Sequence, residues 1–284
     1  MQGGTTLAAE PVNEVSIQRI WAELTGKCQL TCTHCYADSG PFGGHGRMTA
    51  RNWMNVVDDA QALGAFMVQF IGGEPTMHPQ FPEILRHAIG TGIKVEVYTN
   101  LVHVTGEVWE LLTEPNASLA FSYYSRNAAH HNAVTMRNSH AATRRNAARA
   151  VSLGIPIRAG VIDHGAGQVD EAKEDLRAIG ITKIGVDRVR AIGRGGDNDM
   201  SELCGRCGKG VAAISPDGDV WPCIFSRWIK VGNVLTSSLS DILGSRAMAD
   251  AAESIPNGRK RGTCDPDNDD CSPGTPPSSC DPRS

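Results

Sequence analysis

The chain has 284 residues, a formal net charge of −4 and 40% hydrophobic residues, which suits one large α/β domain or one domain with a small appendage. This charge does not predict a nucleic-acid partner. The sequence holds no apolar run of about 18 residues and no charged-then-apolar N-terminal segment. We therefore expect a cytoplasmic protein with no membrane span, no membrane partner and no secretory signal.

Strand-like and helix-like segments alternate along the first two thirds of the chain. Helical periodicity predicts helices at residues 49–63, 81–90, 106–113, 140–153 and 169–179, the first of them capped by Thr49. Six strands separated by five helices predict a parallel sheet, which either winds into an open doubly wound sheet or curls toward a barrel. The strands are predicted from apolar or β-branched runs at residues 21–24, 66–71, 94–99, 119–122, 157–162 and 183–186.

The pattern changes after Arg188. Residues 191–210 are rich in glycine and indicate a linker, and SPDGD between two apolar runs predicts a β-hairpin over residues 211–224. The last 23 residues contain three cysteines but almost no apolar side chains, so we expect metal bonds to order them. The sequence therefore predicts two domains, residues 1–190 and residues 191–284.

The nine cysteines fall into three groups. In a chain without an export signal, clustered cysteines bind metal more often than they form disulfides. The first group, in CQLTCTHC, follows the first predicted strand and supplies three thiolates from one tight loop, whereas a four-iron cluster normally takes four. One iron would then keep an open position for chemistry. A zinc site or three buried thiols are the alternatives. The cysteines of this group are Cys28, Cys32 and Cys35.

The spacing Cys28-x3-Cys32-x2-Cys35, with GGEP at residues 72–75 after the second strand, resembles the radical S-adenosylmethionine (SAM) enzymes. The resemblance implies an α/β fold, a partial (β/α)6 TIM-like barrel, which holds a [4Fe–4S] cluster whose open iron binds SAM. In that family one electron from the cluster cleaves SAM to methionine and a 5′-deoxyadenosyl radical, which abstracts a hydrogen atom from the substrate. An electron donor of the flavodoxin or ferredoxin type is the expected redox partner.

The same resemblance implies roles for residues around the cysteine loop. The backbone of Gly72, Gly73 and Pro75, together with the Glu74 carboxylate, would hold the methionine amino group of SAM, since glycines let the backbone approach a ligand closely.

Further polar contacts to SAM are expected from other strands. Tyr36 and His34 would flank the adenine, and Asn100 ends the third strand. Ser122 and Arg158 are expected at the ribose or the carboxylate, for which the planar guanidinium is well suited. The alternative for Tyr36 and His34 is that they are simply loop residues, and for Ser122 and Arg158 it is ordinary structural hydrogen bonding.

The second cysteine group resembles the SPASM or twitch extension of radical SAM enzymes, which carries auxiliary iron–sulfur clusters. Cys204-x2-Cys207 is followed by the hairpin, which would return Cys223 to the CxxC pair. A zinc ribbon is the alternative. Six cysteines remain outside the first motif, too few for two fully ligated clusters. We therefore expect at least one auxiliary [4Fe–4S] cluster.

The tail would complete this auxiliary site. Cys264 is the simplest fourth ligand beside Cys204, Cys207 and Cys223. Cys271 and Cys280 are left for a second, incompletely ligated cluster, or for a free thiol that returns a hydrogen atom to a substrate radical. The sequence does not choose between these uses.

Three functions remain to be compared. The first is a radical SAM enzyme that modifies a ribosomally made peptide by C–H abstraction, for crosslinking or epimerisation. The second is an epimerase or dehydrogenase of a carbohydrate or aminoglycoside-type natural product. The third is a non-enzymatic zinc-binding module. The histidine-rich residues 130–140 are interpreted as a surface or substrate-facing loop.

Overall fold

The computed structural model of the protein describes residues 17–165 and 167–256. All six predicted strands are present, each within two residues of the predicted ends. They are β1 (Arg19–Glu23), β2 (Met67–Ile71), β3 (Lys94–Tyr98), β4 (Ala117–Tyr123), β5 (Ile157–Asp163) and β6 (Lys183–Arg188).

The five predicted helices are also confirmed, and one further helix lies among them. Thr49 caps the first helix, because its hydroxyl accepts a hydrogen bond from the Asn52 N–H and the Asn52 side-chain oxygen accepts one from the Thr49 N–H. No helix in residues 17–165 or 167–256 is long and apolar enough to cross a membrane. The helices are α1 (Ala50–Ala62), α2 (Phe81–Gly90), α3 (Gly106–Leu111), α4 (Ala128–Thr135), α5 (His140–Ser152) and α6 (Val169–Ala178).

The histidine-rich segment contains the helix that the sequence did not predict. The loop interpretation of residues 130–140 is wrong, because α4 covers its first half and α5 begins at His140. The Asn127 side chain caps α4 by accepting from the N–H groups of Ala129 and His130, and Met136 ends the helix with a φ of +57°. The helix carries no clear apolar stripe, which is why its periodicity was hard to recognise.

The six strands form a parallel sheet in sequential order, β1 to β6, with each strand bonded to its predecessor. In a doubly wound sheet, the order of the strands would reverse at a switch point. Sequential order with one helix or helix pair per crossover belongs instead to barrels, so the expected partial α/β barrel is confirmed.

The two faces of this sheet differ in chemistry. Side chains alternate along a strand, and one set packs with the helices into the main apolar core around Trp53, Phe70, Phe81 and Phe121. The side chains on the opposite face of the sheet line the barrel interior and are mostly polar. It includes Glu23, Gln69, Glu96, Tyr98, Ser122 and Arg158.

The C-terminal part extends the same sheet. The predicted hairpin is confirmed as β7 (Val211–Ile214) and β8 (Asp219–Trp221), which pair antiparallel. Strand β7 pairs parallel with β1, and β9 (Gly232–Asn233) pairs with β8. Helices α7 (Leu239–Leu243) and α8 (Arg246–Ser254) follow. The proposed boundary at residue 190 stays a prediction.

Candidate active site

The loop with the first three cysteines follows β1 at the carboxyl end of the sheet. The Cys28 N–H donates to the Gly40 carbonyl at 3.0 Å, which closes the loop. Backbone N–H groups point at two sulfurs: Leu30 N lies 3.4 Å from Cys28 Sγ, and Ser39 N lies 3.4 Å from Cys35 Sγ. Such donors stabilise thiolates.

Burial dominates the acidity of two of these thiols. It raises the pKa of Cys28 to about 12 and that of Cys32 to about 11. Both thiols therefore keep their protons at neutral pH until a metal displaces them. Three sulfurs on one loop, two of them with N–H donors, are a donor set that fits an iron–sulfur cluster.

Helix α4 supports the cysteine loop from one side. The N–H groups of Thr31 and Thr33 donate to the carbonyls of Thr135 and Val134 at 3.2 and 3.0 Å. These carbonyls belong to the last turn of the helix, where no partner exists within the helix itself. The segment predicted as a loop is thus a structural support of the candidate cluster site.

Arg194 holds the same loop from the other side. Its guanidinium donates to the Cys32 carbonyl at 3.0 Å, to the Ser39 carbonyl from another nitrogen at 2.6 Å, and to Asp38 Oδ1 at 2.8 Å. Its own N–H donates to the Cys35 carbonyl at 3.0 Å. The sequence analysis missed Arg194, which lies in the glycine-rich segment interpreted as a linker.

Gly193 lets that segment approach the loop. Its φ is +59°, and a Cβ there would lie 2.4 Å from the Tyr36 carbonyl oxygen and 2.5 Å from that of Cys35. Only glycine fits such a position. The pair Gly193–Arg194 is therefore the feature of the sequence that could have indicated this contact with the cysteine loop.

The GGEP segment packs directly under the cysteine loop. Gly72 has a φ of +151°, and a Cβ there would lie 2.7 Å from the Thr25 carbonyl oxygen; at Gly73 it would lie 2.4 Å from that of Lys27. The close approach expected at these glycines is therefore made to the protein backbone. Pro75 begins a short 3₁₀ turn, Pro75–Met77.

Glu74 is fully buried and faces the cysteine loop. Its Oε1 accepts from the Thr99 hydroxyl at 2.7 Å and from the Thr76 hydroxyl and N–H, whereas Oε2 accepts, within the described part of the chain, from the Asn100 N–H alone, at 2.8 Å. Burial raises the pKa of this carboxyl, although the hydrogen bonds act in the opposite direction. A cationic partner at the less occupied Oε2 would keep Glu74 ionised, which fits an amino group.

Asn100 joins GGEP to the first cysteine. Its backbone N–H binds Glu74, and its side-chain Nδ2 lies 3.6 Å from Cys28 Sγ and 3.2 Å from Gln29 Oε1. Helix α5 fixes this turn, because the Thr143 hydroxyl donates to the Asn100 carbonyl at 2.9 Å. The structure thus brings Asn100, Glu74 and Cys28 together.

Ser122 and Arg158 lie on the barrel's inner face with partners of their own. Ser122 Oγ is 3.1 Å from Tyr98 Oη. The Arg158 guanidinium binds both oxygens of Glu96, at 2.8 and 2.7 Å, four residues before Asn100 on the same chain segment. The SAM contacts expected of Ser122 and Arg158 stay predictions.

Tyr36 and His34 point to different neighbours. The Tyr36 ring meets Phe225 edge to face, with centroids 5.1 Å apart. The His34 ring meets Tyr124 at 5.1 Å and His164 at 4.9 Å, and burial lowers the pKa of His34 to about 4. Tyr124 and His164 were missed by the sequence analysis, although alternation from Ser122 and Arg158 points both of them inward.

The second cysteine group converges beside the first. Cys207 and Cys223 are buried with their sulfurs 2.9 Å apart, and Cys204 hydrogen-bonds to Cys207 in a way that lowers the pKa of Cys204. The Gly208 N–H donates to the Pro222 carbonyl at 2.8 Å, which fixes the CxxC turn against the end of the hairpin.

Cys207 and Cys223 lie in an apolar cluster of their own with Ile192, Leu203 and Ile255, whereas Cys204 is exposed. Two buried thiols and one exposed thiol beside them are a donor set that fits a second iron–sulfur cluster. The remaining predicted ligands, Cys264, Cys271 and Cys280, lie outside the described residues.

Comparison with known proteins assigns both regions. Residues 22–179 match the Radical SAM superfamily, and residues 192–272 match the SPASM iron–sulfur cluster-binding domain.

Similar sequences include a maturase and a bacteriocin biosynthesis protein. Mycofactocin maturase MftC of Mycobacterium ulcerans is 31% identical over 263 residues, 75% of this chain and 70% of that protein. The subtilosin biosynthesis protein AlbA of Bacillus subtilis is 26% identical, over 78% of this chain and 58% of its own length. The Mycobacterium tuberculosis maturases are covered over 45% of their length, so the chain spans about half the length of some relatives.

Solved structures with the same fold include SuiB of Streptococcus suis bound to its precursor peptide SuiA, with a TM-score of 0.74 at 15% identity over 84% of this chain and 67% of that one. BtrN in complex with AdoMet and 2-DOIA gives 0.54 at 18% identity, over 85% and 88%. These identities concern the fold alone. The superfamily match covers more than half of the chain, and the protein therefore belongs to the radical SAM superfamily, as an enzyme that uses SAM and iron–sulfur clusters.

Proposed function

We propose that the protein modifies a ribosomally synthesised peptide by hydrogen abstraction from a C–H bond, which leads to a crosslink or to an epimerised residue. The observation that carries this proposal is the 31% identity to a mycofactocin maturase over 75% of the chain. The similarity to a PqqA peptide cyclase of Streptomyces rochei, 28% identical over 59% of this chain and 45% of that protein, favours the same substrate class.

The proposed ligands follow the two cysteine groups. Cys28, Cys32 and Cys35 hold the cluster with the open iron. Cys204, Cys207 and Cys223 hold the auxiliary cluster, with Cys264 as its fourth ligand. When bound, the first cluster and SAM supply a 5′-deoxyadenosyl radical, which removes the hydrogen atom from the substrate.

The protein's own residues bind and orient these groups. Glu74 accepts the SAM amino group at Oε2, which has only one hydrogen-bond donor among the described residues. The Asn100 amide orients Cys28 and stabilises its thiolate through Nδ2. Arg194 and α4 keep the cysteine loop closed, and Glu74 is buried beside that loop. A flavodoxin- or ferredoxin-type protein provides the electron.

The first experiment tests SAM cleavage without any assumption about the substrate. The protein is reconstituted anaerobically with iron and sulfide, reduced with dithionite and incubated with SAM, and 5′-deoxyadenosine is measured by chromatography. We expect formation in the wild type and none in a variant with all three of Cys28, Cys32 and Cys35 changed to Ala. Zinc without iron in the purified, reconstituted wild type would contradict the proposal.

A second experiment separates a peptide from a carbohydrate substrate. Candidate precursor peptides are added with SAM, and mass spectrometry records the loss of two hydrogen atoms, for a crosslink, or deuterium uptake from D₂O, for epimerisation. A peptide substrate should compete with its own leader sequence for binding. Turnover of an aminoglycoside that ignores every leader peptide would favour the carbohydrate alternative.

A further inference from the structure

A cleft of about 480 Å³ opens beside the cysteine loop. Its walls come from loops and turns: the segment before and after Cys28, the 3₁₀ turn after GGEP, the turn after β3, and the connection between α4 and α5. The inward-facing residues of the strands do not line it. The lining includes Lys27, Gln29, Leu30, Met77, Val102 and Arg137.

This cleft lies next to Cys28, the first proposed cluster ligand. Leu30 lines it and donates its N–H to Cys28 Sγ at 3.4 Å, and the Gln29 side-chain oxygen lies 3.7 Å from the same sulfur. Cys28 itself is only 7% exposed. A molecule in the cleft is therefore separated from the Cys28 sulfur by a single layer of protein.

The charge of the cleft has one sign. Lys27 and Arg137 contribute two cations, and no carboxylate from residues 17–165 or 167–256 lines it. Among the described residues, neither cation forms an ion pair with Asp or Glu. Beside the lining residue Pro41, Phe42 is fully exposed to solvent. Phe42 offers a partner protein an aromatic contact, and the two cations offer it positive charge.

We propose that this cleft docks a small acidic one-electron carrier protein, which reduces the first cluster through the wall at Cys28. The inference rests on the proposed function, because it needs a cluster on Cys28. Electron tunnelling weakens steeply with distance, so a donor has to approach where the cover over the cluster is thin. Complementary charge then steers an acidic donor to this face.

The redox step is balanced without any chemical change in the protein. With a flavodoxin as donor, the flavin hydroquinone anion is oxidised to the neutral semiquinone, and the cluster is reduced by one electron. No proton is transferred, and no covalent bond forms or breaks. Docking therefore needs only proximity and charge complementarity.

The test compares a protein donor with a small reductant. The probe is a bacterial flavodoxin: its affinity for the reconstituted enzyme is measured by biolayer interferometry, and its hydroquinone reduces the enzyme in a stopped-flow experiment. The variants are Arg137→Glu, Lys27→Glu and Phe42→Ser. Arg177→Glu, an exposed position in the last turn of α6, is the matched control because it changes the net charge by the same amount.

We expect each charge reversal to weaken flavodoxin binding about 10-fold and to slow reduction similarly, since an attractive pair becomes a repulsive one. The difference should shrink as salt is added. Reduction by dithionite should be unchanged in all variants, and Arg177→Glu should bind flavodoxin as the wild type does.

Other outcomes overturn the inference. Unchanged flavodoxin affinity in Arg137→Glu and Lys27→Glu, or an equal loss in Arg177→Glu, contradicts docking at this cleft. A substrate peptide that blocks flavodoxin binding and itself needs Arg137 would identify the cleft as a peptide site. If dithionite yields no 5′-deoxyadenosine even in the wild type, the proposed function fails, while the binding comparison still decides the docking question.

Discussion

The Tyr36 ring meets the Phe225 ring edge to face, with 5.1 Å between the centroids. Tyr36 directly follows Cys35, and Phe225 lies two residues after Cys223. The Arg190 guanidinium covers Phe225 at 4.8 Å from the ring centroid. One aromatic contact thus joins the loop of the first cysteine group to that of the second, and couples the packing of the two candidate cluster sites.

A double-mutant cycle measures this coupling. We expect Tyr36→Leu and Phe225→Leu to destabilise the protein by less together than the sum of the single changes, with a difference of about 1 kcal/mol, because an edge-to-face pair contributes beyond its buried area. The free energy of unfolding is measured anaerobically in urea. Tyr36→Leu combined with Trp53→Phe is the control and should be additive. Additivity of the Tyr36 and Phe225 changes would contradict the coupling.

The Arg194 interactions predict a loop that opens when the guanidinium is removed. Arg194→Gln should lose hydrogen bonds to the Cys32 and Ser39 carbonyls, at a cost of about 2 kcal/mol in local stability. Hydrogen exchange of the amides of residues 28–39 should then become faster, and Arg194→Lys should restore little because Lys lacks the planar fork.

The control for Arg194 is Asp38→Asn, which removes only an exposed ion pair and should change exchange little. Wild-type exchange rates in Arg194→Gln would show that α4 alone holds the loop closed.

The three opening cysteines predict a defined change in iron content. After anaerobic reconstitution we expect about eight irons in the wild type and about four in the variant with Cys28, Cys32 and Cys35 all changed to Ala, as for two four-iron clusters. Cys264→Ala should lower the auxiliary iron while SAM cleavage is retained. Loss of all iron in the triple variant would instead mean that the second site depends on the first.

Substitutions at Arg158 and Ser122 distinguish a structural role of the Arg158–Glu96 salt bridge from a role in SAM binding. Arg158→Gln removes the guanidinium that binds both oxygens of the buried Glu96 carboxylate, so we expect a loss of about 3 kcal/mol in the free energy of unfolding. Ser122→Ala removes only one hydroxyl contact and should cost about 1 kcal/mol. A higher KM for SAM in Arg158→Gln at unchanged stability would assign the guanidinium to SAM instead.

His131 makes stability depend on pH. Burial lowers its pKa to about 3, and His140 nearby acts in the same direction. In the unfolded chain His131 is protonated as the pH falls below about 6.5, whereas in the folded chain it stays neutral until about pH 3. The contribution of neutral His131 to the free energy of unfolding is therefore complete above pH 6.5 and is lost as the pH falls toward 3. Between pH 7 and pH 5 this amounts to about 2 kcal/mol.

The measurement for His131 is urea unfolding at both pH values, with His131→Phe as the comparison. The variant should show a smaller loss on acidification, although the depressed pKa values of His78 and His140 leave some of it in place. Equal pH dependence in both proteins would mean that His131 is protonated in the fold without cost.

Local patterns were sufficient for the barrel. Strand β2 and helix α2 lie where the spacing of their apolar residues predicted them. An element that buries one face must repeat its apolar residues with the period of a strand or a helix, and this repeat is visible in the sequence. The cysteine motif and the GGEP segment are likewise short stretches of sequence, so each can be recognised without the tertiary structure. The α4 helix was missed because its stability comes from its Asn127 cap and its contact with the cysteine loop, and neither leaves an apolar stripe.

The sequence by itself determined the chemistry: three thiolates with an open position, and a second group that the SPDGD hairpin returns to a CxxC pair. Only the tertiary structure decided which polar side chains meet them. It joined Arg194 to a loop more than 150 residues away, placed Glu96 against Arg158 and seated Phe225 on Tyr36. Such pairings depend on the packing of distant segments and on burial in three dimensions, and no periodicity along a chain records them.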